Sequence, residues 1–142
     1  MLNNIKISPH FNLREFQCKG KRCCGGAVKV DSDLLQKLEQ FRVRLGKPVI
    51  LSCGYRCPQH NQEVGGTPNS FHTQGLAADV RTTNLGMSPL EVARIAREIG
   101  FTGVGVYDGY HGKHGFVHVD VRPRAEGGRV AMWGDWPAEE LV

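Results

Sequence analysis

The chain has 142 residues, of which 40% are hydrophobic and 23% charged, a composition typical of a globular domain with one core. Its net charge is +4, and the basic residues are scattered rather than gathered into a stripe, which argues against nucleic acid as a partner and would suit an anionic polymer. The sequence shows neither a secretory signal nor about 18 consecutive apolar residues, so we expect synthesis in the cytoplasm and no membrane partner.

The first half of the chain predicts a loop, a long helix and a strand. Residues 17–27, QCKGKRCCGGA, are rich in glycine and cysteine and predict a structured loop. Residues 31–45 carry apolar side chains at helical spacing after Asp31 or Ser32 as N-cap, which predicts an amphipathic helix. The apolar run 48–53 predicts a buried strand, and one or two helical turns should follow it.

The second half predicts three more strands and a second helix. Residues 76–82 and 103–107 are strand-like, and between them Ser88 is the N-cap of a helix with proline at its first position. Residues 116–122 alternate apolar and polar side chains. We therefore expect an α+β fold, with a small antiparallel sheet of about four strands and helices packed on one face. No repeat or long linker divides residues 1–142, which predicts a single domain.

The other face of this sheet should be polar and could carry chemistry. Alternation puts His118 and Asp120 on the face opposite the valines, and Asp79 on the same face of the 76–82 strand. If these strands are neighbours, Asp79 approaches His118, and a turn at Gly75 swings His72 over the sheet. Two imidazoles and a carboxylate supply three corners of a zinc tetrahedron and leave the fourth open for water, as catalytic sites do. The alternative is an ordinary solvated face.

Four segments resemble motifs of a known family. SFHTQGLAADV, residues 70–80, resembles the S-x-H-x-x-G-x-A-x-D signature of the zinc D-Ala-D-Ala peptidases, the M15 family of murein carboxypeptidases and endopeptidases. SCGYRCPQHN resembles the family's S-G-Y-R-x-x-x-x-N segment with Cys53 inserted, GVGVY and FVHVDVR resemble the last ligand strand of its short members, and SPHFNLREFQC resembles their opening. The resemblance runs from about Ser8 to Trp133 and implies a D-Ala-D-Ala metallopeptidase-like fold.

The resemblance also implies a metal site and a substrate site. His72, Asp79 and His118 would bind a Zn²⁺ cofactor on the polar face of the sheet. Arg56 would act in catalysis and hold a substrate carboxylate or an oxyanion, since a guanidinium can bind two oxygens at once. A structural salt bridge is the alternative for Arg56. Ser70 would support the site.

Further candidates for substrate binding are Tyr107 and His114, and the identity of the general base is open. Relatives often carry a glutamate or histidine just before the last ligand, but Gly115 and Phe116 stand at those positions and neither accepts a proton. Asp120, on the same face as the last ligand, is the first candidate for a catalytic base, and holding that imidazole in place is its alternative role. His114 and His111 are the other candidates.

The chain contains five cysteines, an odd number. They could form a second, structural metal site, because cysteines so close in sequence can chelate one ion. Reduced core thiols or a disulfide are the alternatives. The candidates are Cys18, Cys23, Cys24, Cys53 and Cys57.

The function that these observations favour is a zinc-dependent peptidoglycan peptidase cutting murein stem or cross-bridge peptides, as a monomer in phage lysis or wall remodelling. Without a secretory signal it would reach the wall from the cytoplasm, by phage-type release. One alternative is an inactive zinc-containing domain that binds wall peptides or serves as a phage structural component, which the missing glutamate leaves open. Another is a cysteine-zinc interaction protein that shares the scaffold.

Overall fold

The computed structural model describes residues 2–109, 114–124 and 128–141, and these ranges contain three α-helices and seven strands. The helices are α1 (Ser32–Leu45), α2 (Pro58–Glu63) and α3 (Pro89–Ile99). The strands are β1 (Lys6–Ser8), β2 (Phe11–Asn12), β3 (Leu51–Cys53), β4 (Ala77–Arg81), β5 (Gly103–Tyr107), β6 (Phe116–Asp120) and β7 (Ala131–Gly134). Within these ranges no helix has both the length and the apolar character needed to cross a membrane.

The two long helices begin and end where the sequence predicts. The Asp31 side chain caps α1 by accepting hydrogen bonds from N–H groups of the first turn, and Ser88 caps α3 in the same way. Gly46 and Gly100 then end α1 and α3 in the left-handed conformation, with φ of 67° and 109°. These helices are therefore set by local sequence signals.

The main sheet has five strands in the order β3-β4-β6-β5-β7. The four predicted strands form its antiparallel part, although β3 begins only at Leu51. The sequence analysis missed β7, which pairs with β5 in parallel, so the sheet is mixed rather than purely antiparallel. The fold is α+β, and β1 and β2 form a separate two-stranded sheet near the N-terminus.

The core lies on the valine face of the main sheet. Helix α3 packs against β5 and β6, and α1 packs against α3. The fully buried side chains of this core include Leu34, Leu38, Phe41, Val80, Val92, Phe101, Val104, Val106, Val117 and Val119. The opposite face of β4 and β6 presents the polar residues that the sequence analysis singled out.

Candidate active site and metal centre

The pairing of β4 with β6 brings the first two candidate ligands together. Asp79 and His118 are direct cross-strand partners in the antiparallel register. Their side chains point to the same face, and Oδ1 of Asp79 lies 3.2 Å from Nδ1 of His118. The sequence analysis expected these residues to approach each other only if the strands were neighbours, and they are.

The third candidate ligand, His72, comes from the turn before β4. This turn, Phe71–Gln74, is a single 3₁₀ turn that ends at Gly75, whose φ of 74° reverses the chain. Nε2 of His72 lies 3.3 Å from the same Oδ1 of Asp79. Its other nitrogen, Nδ1, lies 2.7 Å from the carbonyl oxygen of Gly54. Because a carbonyl can only accept, Nδ1 carries the hydrogen and Nε2 is left to face Asp79.

His118 is held from behind by Asp120. Its Nε2 donates to Oδ2 of Asp120 at 2.7 Å, and the guanidinium of Arg122 holds the same carboxylate through contacts of 2.7 to 3.1 Å. Asp120 is completely buried. Asp120 therefore lies beside Nε2 of His118, the nitrogen that does not face Asp79. This position favours a role in orienting the imidazole, which was the alternative to the role of general base.

The ionisation of this cluster depends on the contacts between its members. Burial alone would lower the pKa of His72, but contacts with Asp79 and Cys53 raise it to about 10. Burial would also lower the pKa of His118, but hydrogen bonds with Asp120 and Asp79 raise it. Against the effect of burial, hydrogen bonds from both histidines hold the pKa of Asp79 well below its ordinary value. Contacts with Asp79 thus favour the protonated form of both imidazoles when no other cation is bound.

Two of the three distances among the candidate ligand atoms can be compared with those of a zinc site. Zinc bonds of about 2.0–2.2 Å to nitrogen and oxygen place tetrahedral ligand atoms about 3.3–3.6 Å apart. From Oδ1 of Asp79, the distance of 3.3 Å to His72 lies at the lower end of this range, and the distance of 3.2 Å to His118 lies just below it. The set contains two nitrogens and one oxygen, so a fourth position remains for water or substrate.

Cys53 also lies beside this cluster. Its Sγ is 3.7 Å from Nδ1 of His72, and its ligand atom lies within 4.8 Å of those of His72 and Asp79. However, Nδ1 is the nitrogen that carries the hydrogen bond to Gly54, so the thiol faces the side of the ring away from the convergent Nε2.

A cleft of about 490 Å³ opens over the three candidate ligands. Arg56 lies in its wall, where Nη2 donates to Oγ of Ser70 at 3.1 Å. The Nε of Arg56 is buried without a hydrogen-bond partner, and no carboxylate of the described residues lies within 4.0 Å of its guanidinium. The structural salt bridge weighed for Arg56 is therefore absent from the described part of the chain. Its charge is available to a ligand in the cleft.

Aromatic side chains form the other side of the cleft, and the sequence analysis missed most of them. Trp133, from the unpredicted strand β7, packs its ring 5.0 Å from that of His118 and donates from Nε1 to the hydroxyl of Tyr107 at 2.9 Å. The guanidinium of Arg122 lies between the rings of Phe71 and Trp133, at 4.4 and 4.8 Å. Identifying Trp133 required the pairing of β7 with β5, which no local pattern indicated.

The remaining predicted site residues fall in different places. Ser70 and Tyr107 line the cleft, as expected for substrate contacts. His114 does not line it, and lies in a separate depression with Arg81 and Phe116. His111, the other candidate base, lies outside the described residues. The cleft's described ionisable residues, apart from the three candidate ligands, are Arg56, Arg122 and Tyr107, none of which is a carboxylate or an imidazole.

The cysteines separate into two groups. Ligand atoms of four of them, Cys18, Cys23, Cys24 and Cys57, all lie within 4.8 Å of one another. Cys53 is not in this cluster, and its ligand atom lies near those of His72 and Asp79 instead. The structure thus brings together four of the five cysteines that were candidates for a second metal site.

Comparison with known proteins agrees with this geometry. The family model described as Peptidase M15 matches residues 9–120, most of the chain. The zinc D-Ala-D-Ala carboxypeptidase of Streptomyces albus G is 38% identical over 84 residues, which are 58% of this chain and 32% of that enzyme, so the match spans about a third of the relative's length. Residues 9–120, the region that the family model matches, contain all the candidate zinc ligands and Arg56. The chain belongs to the peptidase M15 family of zinc metallopeptidases.

Proposed function

We propose that this protein is a zinc-dependent peptidoglycan peptidase, which hydrolyses murein stem or cross-bridge peptides as a D-Ala-D-Ala carboxypeptidase or endopeptidase. The observation that carries the proposal is the convergence of His72 Nε2 and His118 Nδ1 on one oxygen of Asp79, beneath a cleft whose wall contains Arg56, a guanidinium with no carboxylate partner among the described residues. Membership of the M15 family and similarity to a D-Ala-D-Ala carboxypeptidase support it.

Three side chains, those of His72, Asp79 and His118, would hold the metal. Zinc at such a site lowers the pKa of water and polarises a carbonyl oxygen, which is the chemistry needed to hydrolyse an amide. The hydrogen bond from His72 Nδ1 to the Gly54 carbonyl fixes one imidazole, and Asp120 fixes the other. Both imidazole rings are therefore already oriented towards the metal position before it binds, so binding needs loss of protons but little movement of the side chains.

Arg56 would select and orient the substrate. Its guanidinium can form paired hydrogen bonds with a terminal carboxylate, or stabilise the negative charge that develops on a carbonyl oxygen. Its Nη2 is already positioned by Ser70, so less side-chain entropy is lost when substrate binds.

The shape of the cleft suits a peptide with small side chains. One wall is the segment 65–70, GGTPNS, whose glycines and short polar residues leave the backbone accessible. The opposite wall is aromatic, and the Tyr107 oxygen accepts a hydrogen bond from Trp133, which leaves the phenolic hydrogen for a substrate acceptor. Alanine-rich stem peptides carry small methyl side chains and many backbone amides, so they match both walls.

Digestion of purified murein tests the proposal. Zinc-loaded protein should release shortened or uncrosslinked muropeptides, and mass spectrometry of the products identifies the bond. Asp79→Asn should abolish release, because one ligand is lost, while Asp33→Asn, on the exposed surface of α1, should retain it. Absence of products from fully zinc-loaded wild type would contradict the proposal. A more specific form of the proposal is that the peptidase acts in phage lysis. Adding the protein to intact cells from outside and measuring their lysis tests this role.

One observation favours a second function, an inactive zinc-containing domain that binds wall peptides or takes part in a phage particle. Apart from the candidate ligands, the described cleft residues include no carboxylate or imidazole to serve as general base. This function predicts muropeptide binding with full zinc content and no turnover. Retention on murein, measured together with product release, distinguishes the two functions.

A further inference from the structure

The loop 17–27 is held by sulfur rather than by regular secondary structure. It contains no helix or strand, and its buried cluster consists of Cys18, Tyr55 and Cys57, with Cys23 and Cys24 partly buried beside them. This cluster is separate from the main core. Three of its cysteines come from the loop, and the fourth is the N-cap residue of α2, some thirty residues further along the chain.

The sulfur positions match those of a tetrahedral metal site. Zinc–sulfur bonds of about 2.3 Å place tetrahedral thiolates about 3.8 Å apart. The Sγ atoms of Cys18 and Cys23 are 3.8 Å apart, and those of Cys23 and Cys24 are 3.6 Å apart. All four ligand atoms, including that of Cys57, lie within 4.8 Å of one another. Four thiols can therefore surround one ion with little movement.

Backbone N–H groups are aimed at two of these sulfurs. The N–H of Cys57 points to Sγ of Cys18 at 3.5 Å, and the N–H of His60 points to Sγ of Cys57 at 3.3 Å. Hydrogen bonds of this kind stabilise sulfur as a thiolate, the form that binds metals. The two accepting cysteines, Cys18 and Cys57, are far apart in sequence, so the tertiary fold brings their sulfurs and these N–H groups together.

We propose that four cysteines bind a structural metal ion, namely Cys18, Cys23, Cys24 and Cys57. The ion that we expect is Zn²⁺, because a tetrahedron of four thiolates is typical of structural zinc sites. With four protein ligands such a site is closed, so its role is structural and not catalytic. The odd cysteine count is then explained, since Cys53 is the one thiol left over and it lies beside the other site. The proposal does not depend on the proposed function.

The position of this second site explains what it would stabilise. Tyr55 donates its N–H to the Phe16 carbonyl at 2.8 Å, and Arg56 donates its N–H to the His72 carbonyl at 3.1 Å. The residue after Arg56 is Cys57. A metal that joins Cys57 to the 17–27 loop would therefore fix the segment that carries Arg56. Through the hydrogen bond from Arg56 to the His72 carbonyl, it would also support one candidate ligand of the other site.

Cobalt substitution tests the proposal with a readout that does not depend on activity. Reduced protein reconstituted with Co²⁺ should show strong thiolate-to-cobalt charge-transfer absorption in the near ultraviolet, because four sulfurs contact the ion. His72→Ala should lose one metal equivalent and keep this absorption. Cys18→Ser and Cys57→Ser should lose it, and Cys53→Ser, the matched cysteine control, should keep it. If wild-type protein shows no such absorption, or if Cys53→Ser removes it, the proposal is wrong.

A second measurement on wild-type protein covers the case in which the cysteine variants do not fold. When Zn²⁺ is bound, four thiols should resist alkylation, and they should react after a strong chelator is added. X-ray absorption should give sulfur neighbours at about 2.3 Å. Free reaction of these thiols in the presence of zinc would overturn the proposal, and so would mass spectrometry showing disulfides among them in freshly purified protein.

Discussion

Replacing Asp120 by asparagine separates two roles that a carboxylate beside a metal ligand can have. The carboxylate is buried and contacts Nε2 of His118 at 2.7 Å. Asparagine keeps an oxygen in the same place but removes the negative charge that holds the imidazole and Arg122. If Asp120 positions His118, the variant should bind zinc more weakly. If it is the general base, the variant should fail in turnover even when zinc is fully bound.

The structure favours the first outcome, and the expected sizes are well separated. Loss of a residue that orients a metal-bound histidine typically costs 10–100-fold in metal affinity, or about 1.4–2.7 kcal/mol. Loss of a general base typically costs about 10²–10⁴-fold in kcat. Hydrogen bonds from His118 and Arg122 lower the pKa of Asp120 to about 2, despite burial, so it is a poor proton acceptor at neutral pH.

The assay is a zinc titration followed by muropeptide release at saturating zinc. We expect Asp120→Asn to need about 10–100 times more free zinc than wild type, with kcat within about tenfold once the site is full. Asp33→Asn, whose carboxylate pairs with Lys37 on the exposed surface of α1, is the control and should change neither value. A kcat that stays more than about 100-fold low at saturating zinc would refute the positioning role.

Three other predictions follow from the same geometry. Arg56→Lys should raise KM by about tenfold or more, because one ammonium cannot form paired hydrogen bonds, and steady-state kinetics on a stem peptide checks this. Zinc affinity should rise at least about 10-fold per pH unit between about pH 6 and 8, since zinc must displace a proton from His72, whose pKa is raised to about 10, and the raised pKa of His118 adds to this dependence. A pH-independent titration would contradict this prediction. Gly105→Ala should lower stability by about 1–3 kcal/mol in urea unfolding, because its Cβ would lie 2.5 Å from Nε1 of Trp133.

The parts of the fold that the sequence predicts are those with local signals. Helices α1 and α3 begin at a capping side chain and end at a glycine, and both signals lie within a few residues of the helix. Alternation in β4 and β6 assigns each side chain to a face, and the two-residue period leaves no freedom once one face is buried. The placement of Asp79 and His118 on one face could therefore be expected from the sequence, whereas their direct pairing depended on β4 and β6 being neighbours.

The parts of the fold that the sequence does not predict depend on pairing between segments distant in sequence or on how deeply a side chain is buried. Strand β7 has four residues and little alternation, and it exists because β5 has a free edge to which it adds in parallel. Trp133 reaches the cleft only through this pairing. For Asp120 the sequence indicates the face but not the burial, and its burial beside His118 is what favours an orienting role over that of a base.

The two glycines of β5 show how the neighbouring strand makes room for the site. Gly103 and Gly105 lie opposite Asp120 and His118 in the β5–β6 register, so any side chain there would occupy the polar face. A Cβ on Gly103 would lie 2.3–2.5 Å from the carboxylate atoms of Asp120. Glycine weakens a strand, yet it occupies both positions opposite the candidate ligand His118 and its partner Asp120. The glycine-valine alternation of GVGVY is therefore a signal of the site, because its small residues fall on the face that β6 fills with a histidine and a carboxylate.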